Sequence, residues 1–437
     1  MKRKAYERIK FWKKHKGKQA LLVTGARQVG KTFIIEEFGR TEYEHMVEFN
    51  LALNDTARKS FSQSTSPDDL LLRISIEANE PLVAGTTLVF IDEIQQCPNI
   101  VTFIKGLVDK GDYDYILSGS LLGVELEDVR SLPVGYLDEF TMYPLDFEEF
   151  CWANGLVTTA FDIVRNSFTA MTEVPDFVHQ RLTDLFHRYV LVGGMPAAVT
   201  AFLDHNTIDP VRAIQANIRT YYEHDIKQYA PKEHRLTIQE IYRLIPSELQ
   251  SQNRRFHVNS ITDIKRYAQI EDEFLWLTRA NVALPVFNVV APTAPLITNQ
   301  ERRLLKLFYS DVGLLVGSYG KRSSVGILDG RASMNMGGVY ENVAAQELAA
   351  HGFNHLYYFT KRNVGELDLL VETNDGDVLA LEIKSGSYFR SHSALDKAMS
   401  IPEYGIDKAY VFAETNVCEE NNVTYLPMYM LSMLSNE

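Results

Sequence analysis

A glycine-rich turn near the start of the chain, TGARQVGKT at residues 24–32, constrains the fold more than any other feature of the sequence. The apolar run over residues 19–24 predicts a buried strand before it, and KTFIIEEF after it has apolar residues at helical spacing. Phe33, Ile34 and Phe38 belong to that apolar face, and Gly39 is the expected end of the helix. Strand, glycine-rich loop and helix in this order predict a phosphate-binding loop in a parallel α/β sheet.

Each position of this loop has a role in gripping a phosphate group. Gly25 and Gly30 allow the backbone to curl so that its N–H groups point at the phosphates, and Lys31 reaches the β- and γ-phosphates of a nucleotide. The Thr32 hydroxyl is placed to bind Mg²⁺. The expected nucleotide-binding residues are Gly25, Ala26, Arg27, Gln28, Val29, Gly30, Lys31 and Thr32.

Two acids follow another buried-type strand. Residues 88–91, LVFI, are apolar and lead into Asp92 and Glu93, so both carboxylates are expected at the carboxyl edge of the sheet. There Asp92 would orient Mg²⁺ through water, and Glu93 would polarise the water that attacks a phosphoanhydride. Acidic residues are also common at the start of any helix, where they need no catalytic role. The phosphate loop upstream favours the catalytic roles here.

Two serines close a third apolar run, and their role stays open. Residues 113–117 are predicted to form a strand that precedes Ser118 and Ser120. Ser118 is the candidate to sense the γ-phosphate or hold the attacking water, while ordinary turn chemistry also explains serines at this position. With a further strand predicted at residues 46–50, the segment alternates strand and helix as a doubly wound parallel sheet does.

These stretches together resemble a known family. The segments TGARQVGKT, LVFIDEIQ, ILSGSLL, PVGYLDEFTMYPLDFEEF and YVLVGGMPAAV are similar to those of prokaryotic AAA-type ATPases whose P-loop domain is followed by a C-terminal domain of unknown function. The resemblance runs through most of the chain. It implies an ATPase domain over residues 1–205, of the additional-strand, catalytic-glutamate class, with ATP and Mg²⁺ as cofactors.

One position departs from this family. Relatives often carry a Gly-Arg pair just before the YPLDFEEF segment, whereas residues 133–136 here read PVGY, which leaves Arg130 as the nearest substitute for an arginine finger. Such arginines come from a neighbouring subunit in these ATPases. The resemblance therefore leaves room for a homo-oligomer.

From about residue 206 the alternation of strand and helix stops. Three helical stretches and a hairpin up to residue 318 form a winged-helix-like pattern. The resemblance to the ATPase family includes this pattern. Its polar loop QSQNRRFHV offers Arg254 and Arg255 to phosphates and Asn253 to a base edge, although a lid or interaction module is the favoured role. The helical stretches are residues 210–230, 235–249 and 260–282, and the aromatic residues expected in the core are Tyr221, Tyr222, Phe274 and Trp276.

The third segment, residues 319–437, carries a second set of acids. An amphipathic helix with Glu341 at its start precedes two strands joined by an Asp-Gly turn, and these strands carry Asp368 and the pair Glu382 and Lys384. Two carboxylates and a lysine on adjacent strands suit a metal-dependent phosphodiester hydrolase, because the acids hold Mg²⁺ and the lysine steadies the attacking hydroxide. Glu-x-Lys on a strand is also common as a solvated face, so catalysis by Asp368, Glu382 and Lys384 stays an alternative to mere surface.

The helical acid followed by ELD and EIKSG resembles the PD-(D/E)xK nuclease core, with Leu367 in place of the usual proline. That resemblance implies a restriction-endonuclease-like α/β fold in which Glu341, Asp368 and Glu382 are metal ligands. A nuclease-like fold does not by itself establish cleavage. DNA or RNA is thus an expected partner of the domain, either cut or only bound.

Composition excludes several other classes. The net charge of -13 argues against wholesale coating of nucleic acid, and the basic N-terminal stretch is better explained as a helix packed on the next domain than as a binding face. Three distant cysteines, Cys97, Cys151 and Cys418, suggest neither a zinc site nor a disulfide framework. No apolar run is long enough for a membrane span. We therefore expect a cytoplasmic ATPase coupled to a nuclease-like domain, with a nucleotide-gated interaction protein as the alternative.

Overall fold

The computed structural model describes residues 1–120, 135–261, 264, 266–328, 335–386 and 388–436. The chain forms two compact units, residues 1–143 and residues 144–437, with Arg279–Asn281 grouped with the first. The predicted arginine-finger substitute, Arg130, lies outside the described residues. Across the described ranges, no helix is both long and apolar enough to cross a membrane. The three cysteines are free thiols.

The described part of the first unit is built around a five-stranded parallel sheet. Its elements in chain order are α1 (Lys4–His15), β1 (Ala20–Thr24), α2 (Lys31–Glu42), β2 (His45–Asn50), α3 (Asp55–Ser62), α4 (Pro67–Glu77), β3 (Thr87–Asp92), α5 (Asn99–Lys110), β4 (Asp114–Ser118) and β5 (Leu137–Thr141). The strand order is β2-β3-β4-β1-β5, so β4 is an additional strand between β1 and β3. Strands β1 and β3 are buried at every position, as expected for a sheet covered on both faces. The prediction of a parallel α/β sheet is confirmed.

Helix α2 continues past its predicted end. Gly39 lies inside this helix. A Cβ at this position would come within 2.3 Å of the Met46 sulfur on β2. The glycine therefore allows close packing of helix on strand rather than ending the helix. Phe33, predicted on the apolar face, is instead exposed, while Ile35 and Phe38 are buried.

The basic N-terminal stretch packs on the first unit as a helix. Ile9 and Trp12 of α1 are buried. Arg8 binds Asp138 at 2.9 Å, and Lys16 binds Asp114 at 2.8 Å. These contacts agree with the favoured interpretation of a helix packed on the following domain.

The second unit combines helices with an eight-stranded mixed sheet over its described residues. Its elements in chain order are α6 (Phe147–Ala153), α7 (Thr158–Ala170), α8 (Asp176–Val192), α9 (Pro196–His205), α10 (Ile208–Tyr229), α11 (Arg235–Gln250), α12 (Glu271–Arg279), β6 (Ala283–Val289), β7 (Gln300–Tyr309), α13 (Val312–Ser318), α14 (Lys321–Val325), α15 (Met336–Ala350), β8 (Leu356–Lys361), β9 (Gly365–Glu372), β10 (Val378–Ile383), α16 (Ser393–Met399), β11 (Ala409–Ala413), β12 (Cys418–Glu420) and β13 (Val423–Pro427). The strand order is β12-β13-β11-β10-β9-β8-β6-β7.

Packing crosses both predicted domain boundaries, at residues 205 and 318. The hairpin β6–β7 does not stay with the helices before it, because β6 pairs in parallel with β8 and extends the C-terminal sheet. Near the start of the unit, the Phe147 amide donates to Glu347 at 2.9 Å, and the Asp146 carboxylate contacts His351 at 3.0 Å. The division into three domains stays a proposal, while the chain packs as two units.

Three details differ from the sequence prediction. The helical stretch expected over residues 260–282 is a helix only from Glu271 to Arg279, with residues 262, 263 and 265 outside the described part. Tyr221 is exposed, while Tyr222, Phe274 and Trp276 are in the core as expected. Helix α15 is not amphipathic, because all its residues from Gly337 to Ala349 are buried, which is typical of a helix enclosed by its domain.

Candidate functional site

The phosphate loop connects β1 to α2 in the first unit. Gly25 has a φ of 126° and Gly30 a φ of 97°, a region that favours glycine. A Cβ at Gly25 would lie 2.1 Å from the Met142 carbonyl oxygen, so only glycine fits against the neighbouring strand end. The helix begins at Lys31, so its unpaired N–H groups and the positive end of its dipole face the loop.

Lys31 and Thr32 are the first two residues of α2, directly after the loop. Lys31 is buried, and its Nζ donates to the carbonyl oxygens of Gly25 and Ala26 at 2.8 Å each. The Thr32 hydroxyl donates to Asp92 Oδ2 at 2.8 Å. The two oxygen-bearing side chains predicted to hold Mg²⁺ are thus in contact, and hydroxyl and carboxylate oxygens are the donors that Mg²⁺ prefers.

The Asp92 carboxylate accepts hydrogen bonds from side chains at the ends of both neighbouring strands. The Ser118 hydroxyl, at the end of β4, donates to Asp92 Oδ1. Asn50, at the end of β2, donates from Nδ2 to Asp92 Oδ2 at 3.1 Å. Asn50 was missed by sequence reasoning, although its place as the last, polar residue of an apolar strand is the signal that marked Ser118. The arrangement fixes the carboxylate orientation from three directions.

The Glu93 side chain has hydrogen-bond partners of its own, which differ from those of Asp92. Its φ of 55° places it in the left-handed region, which is uncommon for a residue with a side chain. Gln95 Nε2 donates to Glu93 Oε2, and the Ser120 hydroxyl donates to the same oxygen at 3.4 Å. Ser118 therefore contacts Asp92 and Ser120 contacts Glu93, which separates the two serines whose roles the sequence left open.

In the second unit, the structure brings Asp368, Glu382 and Lys384 together on β9, β10 and the residue after it. Asp368 Oδ2 accepts from the Ile383 amide at 2.9 Å, and Lys384 Nζ donates to Glu382 Oε1 at 2.7 Å. No donor among the described residues reaches the buried Glu382 Oε2. Burial, followed by the nearby Asp368 charge, raises the pKa of Glu382 to about 7 against the lowering effect of Lys384.

Glu341, the helical acid, has cationic partners from the segment before it. It is fully buried on α15, and its Oε2 accepts from Lys306 Nζ at 2.9 Å. Its Oε1 pairs with Arg254 Nη1, which also lies 3.7 Å from Asp368 Oδ1. Across the described residues, no three His, Cys, Asp or Glu side chains are grouped so that they could hold a metal ion.

The loop predicted to offer arginines to DNA is turned toward protein carboxylates. Arg254 meets Glu341 as above, and Arg255 Nη2 donates to Glu366 Oε2 at 2.7 Å and to the Thr360 hydroxyl at 2.8 Å. Lys306 bridges to Glu366 Oε1 at 2.8 Å. Burial raises the pKa of Glu366, but Lys306 and Arg255 outweigh it and leave the pKa below its usual value.

Arg390 and His392, which follow the EIKSG segment, also have protein partners. Arg390 pairs with Glu420. The buried His392 ring contacts the Asp396 carboxylate at 2.9 Å through Nδ1 and the Tyr425 hydroxyl at 2.7 Å through Nε2. In this structure both side chains thus contact protein groups of the same unit.

Three family profiles match successive parts of the chain. Residues 17–151 match an AAA domain, residues 183–324 a Domain of unknown function (DUF8612), and residues 336–431 a Domain of unknown function (DUF4143). No curated protein matches the chain significantly. The N-terminal part is therefore an AAA-type P-loop ATPase domain, in agreement with its sheet and loop.

Among solved structures, the chain is similar to the Walker-type ATPase paby2304 of Pyrococcus abyssi, at 13% identity and a TM-score of 0.41, over 72% of this chain and 95% of that one. It is similar to the Aeropyrum pernix ORC1 protein, solved in complex with DNA, at 11% identity and a TM-score of 0.29, over 71% and 86% of the two chains. It is also similar to Cdc6p from Pyrobaculum aerophilum, at 11% identity and a TM-score of 0.26, over 64% of this chain and 86% of that one. Likeness at this level says nothing about what the present chain binds.

Proposed function

We propose that the protein binds ATP with Mg²⁺ at the phosphate loop and hydrolyses it. The observation that carries this proposal is the contact between Thr32 and Asp92, directly beside the buried Lys31 at the start of α2. A threonine after the loop lysine and an aspartate at the end of another strand of the same sheet are the pair that holds Mg²⁺ in P-loop NTPases. The AAA-domain match over residues 17–151 supports the same site.

Each side chain has a task in this reaction. The loop N–H groups and Lys31 would hold the phosphates, and Mg²⁺, bound by Thr32 and Asp92, supplies charge neutralisation at the transferred group when present. Glu93 would accept a proton from the attacking water or orient it. Ser118 and Asn50 keep the Asp92 carboxylate in place. Gln95 and Ser120 set where the Glu93 carboxylate points.

ATP titration by calorimetry, together with phosphate release, tests this proposal. We expect Lys31→Ala to lose ATP binding, and Glu93→Gln to bind ATP normally but to release phosphate about 100-fold more slowly or worse. Phe33→Ala, an exposed change on the same helix, is the matched control and should resemble wild type. ATP binding that survives in Lys31→Ala at wild-type affinity contradicts the proposal.

For the C-terminal segment we infer metal-dependent hydrolysis of a phosphodiester as a second function. It is favoured by the buried Glu382 Oε2 beside Asp368 and Lys384, which has no hydrogen-bond partner in the described part of the chain, because such an oxygen is suited to bind a ligand. Asp368 and Glu382 would hold Mg²⁺, which would supply a reactive water when bound, and Lys384 would steady developing negative charge. The rival is a nucleotide-gated domain that binds nucleic acid or another partner without cutting it, with residues 206–318 as lid or interaction module.

Incubation with single- and double-stranded DNA and RNA in Mg²⁺ or Mn²⁺ separates these two functions. The hydrolase requires cleavage that is lost in both Asp368→Ala and Glu382→Ala, while Asp377→Ala, in the exposed turn of the same hairpin, cleaves normally. Binding without cleavage supports the rival. Cleavage that persists in both acid variants assigns the activity to another site or a contaminant.

A further inference from the structure

We propose that Arg254 is a built-in cation that occupies the acidic site of the C-terminal sheet, and that a divalent metal binds Asp368 and Glu382 well only when this side chain withdraws. The inference rests on the proposed hydrolase, and it adds a control element to that site. The guanidinium comes from the loop after α11, a segment outside the strands that carry the acids. It therefore links the state of that loop to the state of the site.

The guanidinium has a fitted position. Its Nη1 pairs with Glu341 Oε1 and lies 3.7 Å from Asp368 Oδ1, so it sits between the helical acid and a strand acid. A Cβ at Gly337, in the first turn of α15, would lie 2.8 Å from Arg254 Nη2. The absence of a side chain at this position leaves the space that the guanidinium fills.

The backbone of the loop aims the two arginines at different acids. Arg254 has a φ of 52°, in the left-handed region, which a residue with a side chain rarely adopts unless its surroundings hold it there. Arg255 then points to Glu366 and Thr360. The left-handed backbone at Arg254 accompanies the contact of its side chain with Glu341.

The cluster has as many cations as acids without a metal. Four acids face four cations, so the cations repel an added divalent ion and no excess of acids is present to offset that repulsion. The acids are Glu341, Glu366, Asp368 and Glu382, and the cations are Arg254, Arg255, Lys306 and Lys384. Lowering that repulsion requires a cation to leave, since like charges at such distances oppose each other strongly in a buried site.

Arg254 is the cation whose departure disturbs the cluster least. When it leaves, Glu341 keeps Lys306 as a buried partner at 2.9 Å, and Asp368 is released from the guanidinium. Lys306 has no exposed surface, whereas about a fifth of the Arg254 side chain is exposed, at 22%. The loop side chain therefore has a path to solvent that the strand lysine lacks.

Mn²⁺ titration of the full chain, followed by electron paramagnetic resonance, tests the proposal without using activity. All proteins carry Asp92→Asn, so that the nucleotide site contributes no metal. We expect Arg254→Gln to tighten Mn²⁺ binding by roughly tenfold or more, because one positive charge leaves the site. Arg255→Gln removes a cation that binds Glu366 and Thr360 rather than one beside Asp368, so it should shift Mn²⁺ binding by less than about threefold, because repulsion falls with distance. Adding Asp368→Asn to Arg254→Gln should remove the gain.

The outcomes separate this proposal from the hydrolase. Equal, tight Mn²⁺ binding with and without Arg254→Gln, lost on Asp368→Asn, overturns the role of Arg254 and leaves the metal site standing. Absence of Mn²⁺ binding in every variant overturns the metal site and the role of Arg254 with it. Circular dichroism checks that each variant is folded, and Arg254→Met, which keeps an unbranched side chain without the charge, replaces the glutamine variant if that one is not.

Discussion

At the scale of single residues, Arg3 ties the phosphate loop to the rest of the first unit. The side chain is buried. Its Nη1 donates to the Val29 carbonyl inside the loop at 2.9 Å, and Nη2 donates to the Tyr143 carbonyl after β5 at 2.7 Å. A charged donor shared by two carbonyls restrains the loop from outside its own sequence.

We predict that Arg3→Gln lowers the free energy of unfolding by about 1 to 3 kcal/mol, because one buried and one partly buried carbonyl lose a charged donor. ATP affinity should fall several-fold as the loop loosens. Arg8→Gln is the matched control, since its ion pair with Asp138 is partly exposed and such pairs contribute about 1 kcal/mol or less. Urea unfolding and ATP titration measure both effects, and equal losses in the two variants contradict a special role for Arg3.

Some residues of the nucleotide site could be predicted from the sequence and others could not. Lys31, Thr32 and Asp92 could be predicted, because their roles require fixed spacing within a strand–loop–helix or a strand end. Arg3 could not, because it reaches Val29 only through the packing of a separate helix. Arg254 and Arg255 could be read from the sequence only as candidates for phosphate contact, whereas in the structure they pair with Glu341 and Glu366 of the same unit.

At the scale of elements, the turn between α8 and α9 is fastened to the start of α13. Asp311 caps α13 by accepting from the Leu314 amide at 2.9 Å, and it also accepts from the Gly194 amide at 2.6 Å. Burial raises the pKa of Asp311 to about 6, against backbone amides that lower it. The turn between α8 and α9 and the start of α13 thus share the Asp311 carboxylate. The second glycine of the GG in YVLVGGMPAAV is one of the residues whose amides donate to it.

We predict that Gly194→Ala destabilises the second unit by at least about 2 kcal/mol. A Cβ there would lie 2.0 Å from the Leu145 carbonyl oxygen, so backbone must move to admit it. Gly320→Ala is the control, because no atom lies within 4 Å of its added Cβ, and its effect should stay within about 0.5 kcal/mol. Thermal unfolding gives the comparison, and a Gly194→Ala protein as stable as the control excludes this packing.

At the scale of the whole molecule, the second unit is held together by contacts that span most of its length. Residues 144–205, predicted to close the ATPase domain, donate and accept hydrogen bonds with α15. Besides the contacts of Phe147 and Asp146, the Tyr189 hydroxyl donates to Glu347 Oε1 at 2.9 Å. Strand periodicity could not show this, because it reports which face of an element is buried but not which distant element covers it.

We therefore predict that a fragment of residues 144–437 folds, whereas a fragment of residues 206–437 does not. The shorter fragment lacks Phe147, Tyr189 and Asp146, which are hydrogen-bond partners of Glu347 and His351, and each such bond contributes about 0.5 to 1.5 kcal/mol. Cooperative thermal unfolding of each fragment is the measurement. Two equally cooperative transitions would favour the division at residue 205 instead.

The pairing of β6 with β8 also matters while the chain is being made. After β7 is complete, β6 has one edge without its partner until β8 emerges from the ribosome, roughly 50 residues later, which takes on the order of 3 to 10 s. An unpaired strand edge is an open template for pairing with other chains. The yield of folded protein should thus depend on how well the nascent chain is shielded in that interval, so slow synthesis or scarce chaperones would lower it even though the finished sheet is unchanged.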